Sequence, residues 1–173
     1  MAESPVVFVS YAHENEEHGE KVLALADQLT RNGLDVRLDQ YDPHPNVSWT
    51  TWMETNLREA DYVLLVCSPA YIRRVEQRDA AGKGLGVRWE GNLIYSRLYE
   101  NLAQADKYIP ILLPGFAVED IPLPVRNFTR YKIEIANLDD AGYAGLYRHL
   151  TKQPEIVKPE IGPIQSLPPK SRP

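Results

Sequence analysis

The sequence predicts one open α/β domain over roughly residues 5–151, built on five parallel strands with helices on both faces. Three observations predict it. Apolar runs of strand length alternate with stretches of helical periodicity throughout that segment. The strand runs are nearly continuous in apolar residues, as in a sheet covered on both faces. After Thr151 the periodicity stops.

Residues 6–11 (VVFVSY) read as the first strand. A polar turn over residues 12–16 leads into a helix with Val22, Leu25 and Leu29 on one face, stopped by Gly33. Residues 34–38 alternate as the second strand. A loop with two prolines spans residues 39–48, and the next helix carries Met53, Leu57 and Ala60 at helical spacing. Thr51 and Glu54 have the spacing of a capping box near its start. Residues 62–67 (YVLLVC) are the third and most apolar strand.

The segment 68–86 is polar and ends in Gly82, Gly84 and Gly86; Ile94, Leu98 and Leu102 then mark a helix face. Residues 108–113 (YIPILL) form the fourth strand, and Pro110, lacking a ladder donor, puts it near the sheet edge. Tyr131, Ile133 and Ile135 alternate in the fifth strand, and Tyr143, Leu146, Tyr147 and Leu150 line a last helix. The domain is therefore placed at residues 1–152. Residues 153–173, with six prolines and no apolar stripe, form a proline-rich linker or tail expected to lead to another domain.

Composition narrows the function. The 173 residues are 43% hydrophobic and 25% charged, which excludes a disordered or fibrous chain. Nineteen basic against 24 acidic residues give a net charge of -5, which offers no global attraction for nucleic acid or anionic lipid. The single cysteine, Cys67, excludes an internal disulfide and a cysteine-rich zinc site. No apolar run approaches the ~20 residues of a membrane helix. The expectation is a cytoplasmic domain with no membrane contact and no direct nucleic-acid partner.

Ligands of open parallel sheets bind outside the carboxyl ends of the strands. That rule selects residues 10–16, residues 39–48 and the segment from Ser68 to Glu90. Glu14, Glu16 and Glu17 are read as helix-start acids, and Asp39 and Asp42 as loop-turn residues. The four histidines show no metal-ligand spacing and are read as surface residues, so no metal is expected. The GKGLG run at 82–86 lacks phosphate-loop spacing, and Cys67-Ser68 stand where a phospho-receiver needs its aspartate. Arg73, Arg74, Arg78, Lys83 and Arg88 make the third loop basic, either as a solvated face balanced by Glu76 and Asp79 or as a phosphate rim.

Several of these motifs resemble those of a known family. Residues 7–13 (VFVSYAH) resemble the first box of SEFIR domains, relatives of the Toll/interleukin receptor (TIR) domain. Residues 33–42 (GLDVRLDQYD) are similar to the second strand and the start of the BB loop in bacterial SEFIR proteins. Residues 60–71 (ADYVLLVCSPAY) are similar to the third strand and its exit, and residues 146–151 (LYRHLT) to the end of such modules. The resemblance implies a flavodoxin-like, TIR-type sheet. It implies two functional classes. Some relatives are non-catalytic adapters that assemble homotypically. Others are signalling or anti-phage effectors that hydrolyse NAD to nicotinamide and an ADP-ribose product when self-associated.

The hydrolytic relatives act through a glutamate near the start of the helix after the third strand, and Glu90 stands at that position. The resemblance makes Glu90 catalytic, with Phe8, Ser10, Asp39 and Trp49 as substrate-binding neighbours and Asp42, Pro43 and Pro45 in an interaction loop. NAD is then a substrate, and no cofactor is implied. Many hydrolytic members carry tryptophan four residues before the glutamate; here Gly86 is at that place and Trp89 is adjacent. The chemistry suits one carboxylate. Cleavage passes through an oxocarbenium-like state that a carboxylate stabilises, and nicotinamide leaves as a neutral molecule without being protonated.

Overall fold

The computed structural model describes residues 3–75 and 104–173. Its five strands are β1 (Val6–Ser10), β2 (Asp35–Arg37), β3 (Tyr62–Val66), β4 (Tyr108–Leu112) and β5 (Tyr131–Lys132). All pair in parallel in the order β2-β1-β3-β4-β5, the flavodoxin-like order. Four α-helices lie among the described residues: α1 (Glu16–Arg31), α2 (Trp49–Glu59), α3 (Pro69–Val75) and α4 (Ala141–Thr151). None is long and apolar enough to cross a membrane.

The pleat sends alternate side chains to opposite layers. Val7, Val9 and Leu64 pack with Val22, Leu25 and Leu29 of α1 and Leu146 and Leu150 of α4. Phe8, Val63 and Leu65 pack on the other face with Leu57 of α2 and Tyr71 and Val75 of α3. Both faces of β3 are buried, which accounts for its unbroken apolar run. Truncating a buried leucine in such a sheet costs ~2–5 kcal/mol, so the strands form a rigid base for whatever their carboxyl ends carry.

Local chemistry sets the boundaries. Asn15 caps α1 by accepting from the His18 amide at 2.8 Å, and Gly33 ends the turn after it with φ of +98°. The expected capping box at Thr51 is displaced: Ser48 caps α2, accepting from the Thr51 amide at 3.2 Å. Pro110 sits one strand in from the edge, but β5 pairs only with Ile111 and Leu112, so the proline meets a ladder on one side alone. β5 is shorter than the alternation predicts. Ile133 is buried beyond its end, whereas Ile135 is exposed. The predicted helix face at Ile94, Leu98 and Leu102 lies outside the described residues. In the tail, Ile156, Val157, Ile161, Ile164 and Leu167 are all exposed.

Candidate functional site

A cleft of about 390 Å³ opens at the carboxyl ends of β1 and β2. Its floor is the end of β1, Phe8 to Tyr11, and one wall is Asp39, Gln40 and Pro43 from the segment after β2. Trp49, Trp52 and Met53 of α2 form the second wall, His13 stands on the loop after β1, and Arg74 reaches in from α3. The volume is within the ~300–1,000 Å³ of ordinary small-molecule pockets. Aromatic rings dominate the α2 side. Phe8 meets Trp52 edge-on at 5.7 Å, and Trp52 meets Trp49 edge-on at 5.4 Å. Trp49 remains 42% exposed, which leaves ring surface for a ligand.

The polar side is organised around Asp39. His13 Nε2 lies 3.3 Å from Asp39 Oδ2. Burial by itself would raise the Asp39 carboxyl, but His13 and the Tyr11 hydroxyl beside it outweigh burial and hold it below the usual carboxylate range. Gln40 Nε2 donates to the Tyr11 hydroxyl at 2.9 Å and to the Gly19 carbonyl at 3.1 Å, which fixes the phenol next to the carboxylate. Burial and the Asp39 charge together push the Tyr11 phenol upward, so it stays protonated. The Arg74 guanidinium donates to the Tyr11 carbonyl at 3.1 Å and brings positive charge to the same rim.

The floor is tied to α3. Ser10 and Tyr71 hydroxyls meet at 3.0 Å inside the core, and Ser68 accepts from the Tyr71 amide at 3.1 Å. Glu14, expected at the start of α1, instead accepts from the Ala70 amide of α3 at 2.7 Å. The Cys67 thiol donates to the Leu65 carbonyl, and burial pushes its pKa up to about 12, which removes it as a nucleophile.

Of the residues singled out in the sequence, Phe8, Ser10, Asp39, Trp49 and Pro43 converge on this cleft. Asp42 does not line it; its carboxylate accepts from the Trp52 indole at 3.0 Å and faces a neighbouring groove with Tyr41, Asn46 and Val47. Pro45 is half-buried in the same loop. Glu90 lies outside the described residues, as do Gly86, Trp89 and the GKGLG run. Trp52, read as either a stacking face or, by preference, a helix-packing residue, packs on Phe8 and also walls the cleft.

Sequence reasoning missed Tyr11, His13 and Gln40, while Arg74, read either as a solvated face or as part of a phosphate rim, lines the cleft. The histidines were read as surface residues, and His13 is indeed 67% exposed, but it is paired at the cleft mouth. His18 corrects that reading outright, since it is 3% exposed within α1. The usable signal was position: residues 11–13 and 39–40 directly follow adjacent parallel strands.

Most of the chain has similar solved structures. A crystal structure of a prokaryotic SEFIR domain superposes with a TM-score of 0.67 at 28% identity, over 92% of this chain and 100% of that one. A metazoan TIR-STING receptor from C. gigas, solved alone and in complex with 2′,3′-cGAMP, is similar in fold alone. Its two structures give TM-scores of 0.55 and 0.56 at 20% and 17% identity, over 84% and 83% of this chain and 40% and 38% of the receptor. A comparison with curated proteins found no match. The family model of the SEFIR domain matches residues 5–138, over three-quarters of the sequence, and includes every described residue that lines the cleft. On that match and on the strand order, the chain belongs to the SEFIR domain family.

Proposed function

We propose that this SEFIR domain is an effector that hydrolyses NAD to nicotinamide and an ADP-ribose product when it self-associates. The observation that carries the reading is the cleft, which sets the Phe8, Trp49 and Trp52 rings opposite the Asp39 carboxylate. That pairing of chemistries suits a nicotinamide riboside: ring surface for the planar base, and a carboxylate for ribose hydroxyls. Arg74 supplies positive charge toward the diphosphate. Glu90 is proposed as the carboxylate that stabilises the oxocarbenium-like transition state. NAD is substrate throughout, and the partner is a second copy of the domain.

Self-association is attributed to the loop carrying Asp42, Pro43 and Pro45. Its neighbours Tyr41, Val47 and Trp49 are large apolar residues left exposed together. Two prolines restrict this loop and lower the entropy lost when it docks. The same exposed cluster favours a second reading, a non-catalytic adapter that recruits like domains through this loop. One experiment separates the two. Nicotinamide release from NAD is followed across a protein concentration series, with light scattering in parallel. The effector reading expects specific activity to rise with assembly, Trp49→Ala to weaken both, and Glu90→Gln to abolish turnover while assembly persists. Assembly with no nicotinamide release at any concentration leaves the adapter.

A further inference from the structure

We infer that His13, oriented by Asp39, is the general base that takes the proton from the attacking water in the proposed NAD hydrolysis; the inference rests on that functional reading. His13 Nε2 lies 3.3 Å from Asp39 Oδ2, and because an ionised carboxylate can only accept hydrogen bonds, that contact favours the neutral tautomer with its proton on Nε2. The neutral imidazole then keeps its lone pair on Nδ1, which bonds to no group among the described residues. The ring is held as well as polarised. It leans on Tyr11, with centroids 4.9 Å apart at 51°, while Gln40 fixes the Tyr11 hydroxyl and Tyr11 in turn supports the Asp39 charge. A carboxylate that fixes the tautomer and stabilises the imidazolium is the arrangement that makes histidine an effective base.

The cleft gives that base a task. The first bond to break is C1′ to the nicotinamide nitrogen, and its electron pair neutralises the pyridinium, so departure requires no proton. Water then forms the C1′–O bond and must release one proton. His13 Nδ1 accepts it, Asp39 stabilises the resulting imidazolium, and the proton passes to solvent from a side chain that is 67% exposed. Nicotinamide, ADP-ribose and one proton are the products. Tyr11, Asp39 and Arg74 share the cleft with this ring, and His18 is electrostatically coupled to it.

The test uses the difference between nucleophiles that carry a proton and those that do not. The full chain, at concentrations where it assembles, is given NAD with and without 3-acetylpyridine, whose ring nitrogen attacks C1′ without releasing a proton. His13→Gln is expected to lower ADP-ribose formation by at least about tenfold and to leave the exchange reaction within about twofold. His13→Asn is the second variant, and circular dichroism establishes that each is folded. Equal loss of both reactions in folded variants, or unchanged hydrolysis, overturns the assignment. A wild-type chain that performs neither reaction overturns the NAD reading, and this inference with it; exchange without hydrolysis in the wild type overturns this inference alone.

Discussion

Asp42 and Trp52 are joined by a hydrogen bond of 3.0 Å from the indole Nε1 to the carboxylate, which ties the loop after β2 to the first turn of α2. The same indole meets Phe8 on the floor of the cleft, so one side chain couples the loop after β2 to the pocket. Loop position and cleft shape are thereby linked through Trp52.

This coupling is measurable. Asp42→Ala and Trp52→Phe should each destabilise the domain modestly, and the double variant should lose less than their sum. The interaction energy expected for a part-exposed hydrogen bond is ~0.5–1.5 kcal/mol. Urea midpoints of the four proteins give it directly. Strict additivity would show that the bond contributes nothing in solution.

Gly142 predicts a larger effect. A methyl group there would run into the backbone carbonyl of Lys132, which belongs to β5 and cannot swing aside like a side chain. Gly142→Ala should therefore lower stability by ~1–3 kcal/mol despite its better helix propensity. At Gly145 the nearest neighbour is the Tyr131 ring, at 3.1 Å, and a small ring shift should make Gly145→Ala the milder change. Thermal midpoints of the two variants rank them, and a reversed order would contradict the packing of α4 on β5.

Much of this fold is legible in the sequence because burial on both faces writes itself as unbroken apolar runs, as in β1, β3 and β4. α3 escaped because seven residues, two of them arginine, are too short to establish a periodic stripe. Ile135 was misassigned because alternation continues past the point where pairing with β4 ends. In the site, strand-end position selected the segments that hold Ser10 and Asp39, and the family resemblance added Phe8. The pairing of His13 with Asp39 was not legible, because it depends on two loops meeting across adjacent strands. Glu14 shows the same limit: its place before α1 is local, but its partner is the amide of Ala70.

His18 predicts a pH dependence of stability. Neither ring nitrogen has a hydrogen-bond partner among the described residues, and Phe116 meets the ring edge-on at 5.2 Å. Burial lowers its pKa below the ordinary 6.5, with Glu14 opposing and Lys21 and His13 reinforcing the shift. The unfolded chain thus binds a proton at a pH where the folded chain does not. The contribution is complete above pH ~6.5 and is lost as pH falls toward the folded value. Thermal midpoints from pH 7.5 to 5 should fall less steeply in His18→Leu than in the wild type. Parallel curves would mean that this ring does not govern the acid limb.

Nicotinamide release by the full chain beside its Glu90→Gln variant, at a protein concentration where both assemble, tests most directly the proposal that the cleft between β1, β2 and α2 serves NAD cleavage. That proposal predicts that the wild type yields nicotinamide and an ADP-ribose product in equal amounts. It predicts that Glu90→Gln, with its thermal midpoint shifted by no more than a few degrees, falls by at least about a hundredfold, the scale of losing a group that stabilises transition-state charge. An assembled wild type that releases no nicotinamide, or a variant that turns over at the wild-type rate, would contradict it.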